Sequence, residues 1–274
     1  MNFEHIITLG SFGKRFAERY VQKYGTTRIT TIGNESNCDI VFPLLFTHEE
    51  YDQMVISEEN VEKLKKCESM RNLVVLDPSE TISGATLNTL QYLKDGQNDV
   101  LLYFPRKEQL RTVRMSQLRV TASVLQEYSR SGALGECWLL SETAIEKKIK
   151  PTIQNRQEKL VEFVVDLLYS FCYYEKAEVL LGDKHPFPEH YRIGTIGHIE
   201  HDEETMFYPF IHEHKYRHYF YVVPFSKLNA ENVYERLEKF TKEHNFPSLT
   251  VHTIEQECEE FVYFIEKCSE VQKV

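Results

Sequence analysis

The stretch from Asn72 to Trp138 constrains the fold most, because it alternates short apolar runs with helical patterns. Asn72–Leu76 (NLVVL) is a buried-strand candidate that ends in a turn-forming Asp77-Pro78. The loop Ser79-Glu80-Thr81-Ile82-Ser83-Gly84 leads into a helical pattern over 85–94, with Leu87, Leu90 and Leu93 at helical spacing. Val100–Phe104 is a second strand stopped by Pro105, and Cys137–Leu140 is a third. Between them an Arg-rich helix is predicted from about Lys107 to Arg130, with Leu110, Val113, Leu118, Ala122 and Leu125 on its core face. Strand, loop, helix, strand, helix, strand is the order expected of a parallel sheet covered by helices.

The flanking segments extend this pattern. Phe3–Leu9 reads as a first strand, and Gly10-Ser11-Phe12-Gly13 stands between it and a helix over 14–24. A glycine loop in that place can turn backbone N–H groups towards an anion, with the helix N-terminus adding a favourable dipole. Arg28–Ile32 is a second strand, and Ser57–Cys67 a charged helix. Asn155–Tyr174 carries apolar residues at 160, 161, 164, 165, 167, 168 and 171, the broad stripe of a helix buried on most sides. Strands are predicted at 192–199, 217–224 and 248–254, a helix at 229–245, and either a strand or a helix at 260–268. The expected division is an α/β domain over 1–150, a core helix and connecting loop over 151–189, and a small α+β domain over 190–274.

Composition narrows the function. A net charge of −10 argues against wrapping nucleic acid or coating an anionic membrane, since both rely on clustered cations. The 6 Cys include no CxxC pair, which fits reduced thiols in a cytosol-like compartment. No apolar run approaches the length of a membrane span, and the expectation is a soluble cytoplasmic protein.

The order of pieces resembles the tubulin/FtsZ superfamily over most of the chain. Gly10-Ser11-Phe12-Gly13 resembles that family's Gly-rich first loop, and Thr81-Ile82-Ser83-Gly84 the Thr-Gly-Ser-Gly heart of its signature loop. Phe104-Pro105, followed by Glu108 and Arg111, resembles the sugar-contacting segment, and Asn155 matches the position that reads the guanine ring. Gly182-Asp183-Lys184-His185 resembles the loop that reaches the next subunit's nucleotide. The resemblance thus implies GTP, with Mg2+, at a subunit interface. Gly10, Ser11, Gly13, Thr81, Ser83, Gly84, Glu108, Arg111 and Asn155 would bind the nucleotide. Asp183, with Glu189 as second choice, would supply the carboxylate of a GTPase. It implies head-to-tail self-association into a filament or assembly, alongside protein partners the sequence does not identify.

Two departures point the other way. Glu80 brings negative charge towards an anion, and the β-branched Ile82 stands where the family has a glycine. A second reading is therefore a tubulin-fold structural component that has lost its nucleotide, since function lives in the site rather than the fold. A metal site among His198, His201, His212, His214 and His218 is a third reading, although no HExxH spacing accompanies it. A dinucleotide-binding oxidoreductase is a fourth, weakened because Ile32-Gly33-Asn34 stands where an acidic residue would hold a ribose.

Overall fold

The computed structural model describes residues 3–25, 28–94, 96–176, 179–182, 186–200, 203–211, 215–227, 233–244, 248–254 and 261–273. Its amino-terminal part runs β1 (His5–Leu9), α1 (Gly10–Tyr24), β2 (Arg28–Gly33), β3 (Ile40–Val41), α2 (His48–Asp52), α3 (Glu58–Lys65), β4 (Asn72–Leu76) and a 3-10 helix (Thr81–Ala85). It continues with α4 (Thr86–Leu90), β5 (Asn98–Phe104), a second 3-10 turn (Lys107–Gln109), α5 (Thr112–Ser131), β6 (Cys137–Ser141), α6 (Glu142–Ile149) and α7 (Arg156–Lys176). The remainder is β7 (Val179–Leu181), β8 (Ile193–Glu200), β9 (Glu203–Met206), β10 (Lys215–Pro224), α8 (Val233–His244), β11 (Leu249–Ile254) and β12 (Phe261–Cys268).

All these strands join one 12-stranded sheet, in the order β3-β2-β1-β4-β5-β6-β8-β12-β10-β11-β7, with β9 paired to β8. β1 to β6 pair in parallel, and β8 continues parallel to β6 through Cys137↔Ile193 and Trp138↔Gly194. Beyond it, β12 runs antiparallel to both of its neighbours, β8 and β10. The central strands read as near-continuous apolar runs because both of their faces are covered. Leu73, Val75, Leu101 and Tyr103 pack under α1 and α7, while Val74, Leu76, Val100, Leu102 and Phe104 pack under α5 and the 3-10 helix. A third cluster, including Tyr219, Tyr221, Val251 and Phe264, fills the outer face of the last strands against Leu237 of α8.

Several local expectations change. The first glycines form no loop, since α1 begins at Gly10 itself. The helix predicted from Lys107 breaks at Leu110, whose extended backbone (ψ 133) separates the 3-10 turn from α5. Val113 consequently lies exposed, whereas Leu118, Ala122 and Leu125 are buried as the periodicity requires. The helix predicted over 85–94 is continuous only over Thr86–Leu90. Residues 261–268 form a strand, and α6, β7 and β9 are further elements.

Candidate functional site

The carboxyl ends of β1, β4, β5 and β6 open onto a cavity of about 330 Å³. Its lining includes Ser11, Phe12, Asp77, Glu80, Tyr103 and Glu142, with Arg15, Arg106, Arg114 and Arg156. It shares Arg15, Arg156, Gln157 and Val161 with a larger groove of about 910 Å³ between α1 and α7, so the two form one trench.

The first turn of any helix leaves backbone N–H groups without an internal partner, and here Leu9, in the cap position, supplies no side-chain bond. Glu80 does so from 69 and 68 residues away. The Ser11 N–H donates to Glu80 Oε2 at 2.7 Å, and the Phe12 N–H donates to Oε1 at 3.0 Å. A carboxylate held by two amides at a helix N-terminus is a charge-assisted arrangement that the helix dipole favours. Local turn chemistry aims it. The Ser79 N–H donates to Asp77 Oδ1 at 2.7 Å, the Glu80 N–H to the Asp77 carbonyl at 3.1 Å and the Ser83 N–H to the Glu80 carbonyl at 3.0 Å. Gly10 makes room for it: φ is +77°, and a Cβ there would lie 3.0 Å from Glu80 Cδ and 3.0 Å from Ile82 Cγ2 while overlapping Oε2.

The rest of the cavity is neutralised from within. Tyr103 stacks on Phe12 with ring centroids 4.0 Å apart, and its hydroxyl donates to Glu142 Oε2 at 3.0 Å. Arg156 bonds both Glu142 and Glu146, and Arg106 pairs with Glu146 at 3.2 Å. Arg114 donates to the Ser79 carbonyl at 3.2 Å. Burial, then the neighbouring Glu80 charge, pushes the Asp77 carboxyl up to about 7. Burial first and Glu142 second raise the Tyr103 hydroxyl.

The residues singled out in the sequence are dispersed around this arrangement. The Ser11 amide is in the site. Gly13 instead serves packing, with room for no Cβ between Thr8 and the Val75 carbonyl. Ser83 is buried and donates from Oγ to the Pro78 carbonyl, while Thr81 is half-buried at the start of the 3-10 helix. Gly84 faces the His48 carbonyl of α2, so the 3-10 helix turns its small residues to α2 and α5; Ser83 and Gly84 line a separate cavity of about 240 Å³. Glu108 and Arg111 are exposed; their neighbours Arg106, Gln109 and Arg114 line the trench. Asn155 points its Oδ1 at the Thr152 N–H and hydroxyl, 2.9 and 2.8 Å away. Glu189 is exposed before β8, at the amino end of the parallel strands and across the sheet from the cavity. Asp183 lies outside the described residues, as do His201, His212 and His214; His198 and His218 are buried. No group of three or more His, Cys, Asp or Glu suited to a metal occurs among the described residues.

The sequence marked Glu80 as unfavourable to an anion but could not show that it would replace one. Tyr103 and Arg156 carried no signal, because strand ends and helix starts this far apart meet only in the fold.

A triphosphate does not fit this arrangement as it stands. The amides at the start of α1 already hold a carboxylate, and three carboxyl groups, Asp77, Glu80 and Glu142, line the cavity.

No family model and no curated protein sequence matches the chain. Solved structures do. An empty FtsZ dimer from M. jannaschii superposes over 96% of this chain and 88% of its own, with a TM-score of 0.67 at 10% identity. A GTPγS-form TubZ protofilament from Bacillus thuringiensis serovar israelensis matches over 98% and 87%, with a TM-score of 0.66 at 12% identity. CetZ2 from Haloferax volcanii, a GTPγS-bound protofilament, matches over 97% and 92%, with a TM-score of 0.65 at 9% identity.

Proposed function

On the tubulin/FtsZ fold, which this chain has, we propose a cytoplasmic, self-associating assembly protein whose assembly does not depend on GTP. The observation that carries this reading is the Glu80 carboxylate on the Ser11 and Phe12 amides. Adding a triphosphate would bring several negative charges against that carboxylate and would first have to break two charge-assisted hydrogen bonds, each worth about 1.5–3 kcal/mol.

Self-association draws support from two sources. Similar structures are described as dimers and protofilaments. Large apolar side chains are also exposed after β3 (Leu44, Phe46), in the first turn of α5 (Val113), between α6 and α7 (Ile153) and after β10 (Phe225), with Phe46 86% and Ile153 96% exposed. Exposed apolar side chains of this size suit contact with another copy.

Bound GTP with Mg2+, and hydrolysis by Asp183 or Glu189 of a neighbouring copy, is the second reading. Its support is the trench itself, with Arg15, Arg106 and Arg114 around it. Two measurements on the wild-type protein separate the readings: titration of a fluorescent GTP analogue, and sedimentation across a concentration series with and without GTP and Mg2+. The first reading expects no saturable binding at micromolar protein and the same pelleted fraction in both conditions. Saturable binding, or pelleting only with GTP, would overturn it.

A further inference from the structure

We propose that the groove between α5 and the layer formed by α2 and α4 is a docking site for an amphipathic helix of a partner protein, cationic on the flank that meets α2. The groove shares no lining residue with the trench at the strand ends, so the inference stands apart from any nucleotide there.

Helix length opens the groove. α5 runs for 20 residues, whereas α2 and α4 have 5 each, and the shorter pair leaves one edge of α5 uncovered. That edge is apolar where the solvent-facing side of a helix is normally polar: Val120, Val124 and Tyr128 recur every four residues, with Val120 55% and Tyr128 45% exposed. Two cavities run beside it and share Asp52 and Leu87, so they join into one groove. Val120, Val124 and Leu125 line the first, of about 240 Å³, and Leu90, Tyr128 and Leu134 line the second, of about 400 Å³. From Val120 to Tyr128 α5 rises about 12 Å, enough for a docked helix to set anchors at i, i+4 and i+7.

The rim selects the occupant. Glu49 and Asp52 of α2 stand along one wall and make no ion pair among the described residues. Burial holds the nearby His48 imidazole below its ordinary range, so it adds no positive charge beside them. Lys94 lies in the second cavity, past the α2 wall. Carboxylates along one wall of an apolar groove fit a helix with an apolar face and a cationic flank. A segment without that face leaves Val120 and Tyr128 in water, and one with an acidic flank meets like charge.

The test is fluorescence polarisation of a labelled helical peptide of about 16 residues, with Leu on one face, Lys on one flank and Gln elsewhere. Against it stand a peptide of the same composition with the face scrambled and one with Glu in place of Lys. Wild type should bind the first saturably at tens of micromolar or below, and the other two at least about tenfold more weakly. Val120→Lys should weaken binding about tenfold or more, and Asp52→Lys about three- to tenfold, with the larger loss at low salt. Glu238→Lys makes the same charge change on α8, beside the last strands, and should leave binding unaltered. Circular dichroism checks that each variant is folded; if Val120→Lys is not, Tyr128→Ala takes its place. Equal binding of ordered and scrambled peptides, equal affinity of Asp52→Lys and Glu238→Lys, or no saturable binding would overturn the proposal. So would loss of self-association in Val120→Lys, seen by sedimentation velocity, in a protein that ignores the peptide, since that result assigns the groove to a second copy of this chain.

Discussion

Gly84→Ala separates a glycine kept for a ligand from one kept for packing. Gly84 has no positive φ, so alanine meets no backbone strain. Its Cβ would, however, lie 3.1 Å from the His48 carbonyl carbon, 3.1 Å from His48 Cγ, and closer still to the carbonyl oxygen. That oxygen belongs to the backbone of α2, so relief requires α2 to move by about 1 Å rather than a side chain to turn aside. Overpacking of this kind costs about 1–3 kcal/mol. The displacement also strains the 2.7 Å bond between His48 Nε2 and Thr121 Oγ1, worth about 1 kcal/mol. Against this, replacing glycine restricts the unfolded chain and returns about 0.4–1 kcal/mol. The net expectation is a loss of about 1–3 kcal/mol, read as a lower urea midpoint with unchanged slope. Thr121→Val should then cost less in the Gly84→Ala background than in wild type, because the bond it removes is already weakened. A Gly84→Ala protein as stable as wild type or more so would refute the packing argument and return Gly84 to the role of a loop residue kept small for a ligand.

Two further expectations concern the cavity. With its folded pKa raised to about 7, Asp77 binds more protons folded than unfolded between about pH 4 and pH 7, so its contribution is fully present below pH 4 and lost as pH rises through 7. Asp77→Asn, which keeps an acceptor for the Ser79 N–H, should therefore be more stable than wild type by about 1–3 kcal/mol at pH 8. The gap should narrow as pH falls and close below about pH 4, as thermal melts across that range will register; a gap that widens on acidification contradicts the assignment. Arg156→Met removes the cation shared by Glu142 and Glu146, leaving Glu142 its Tyr103 hydroxyl and Glu146 its Arg106 partner, and should cost about 1–3 kcal/mol in chemical denaturation. Adding Glu142→Gln should recover part of that loss, and strict additivity would show that the network is not coupled.

Much of the fold was legible because its signals are local. Asn72–Leu76, Val100–Phe104 and Cys137–Leu140 read as strands since both faces are buried, and α7 read as a core helix from its apolar stripe. The breaks were harder to see. The backbone turns extended at Leu110 and leaves Val113 outside the core, although both fit a helical period. β7 and β9 are short edge or hairpin strands of the kind that only pairing partners stabilise.

The candidate site shows the division most sharply. Residue types alone determined that a strand would deliver a turn at Asp77-Pro78, that a helix would occupy residues 14–24 after the first strand, and that Glu80 sits badly beside a phosphate. Which amides the Glu80 carboxylate would reach was decided by the sheet, because the parallel register Leu9↔Leu76 brings two turns together that the chain keeps far apart. Hydrophobic periodicity acts over a few residues and is written in the sequence, whereas capture of an orphaned N–H by a distant carboxylate depends on where strands end in space, and that exists only once the chain has folded.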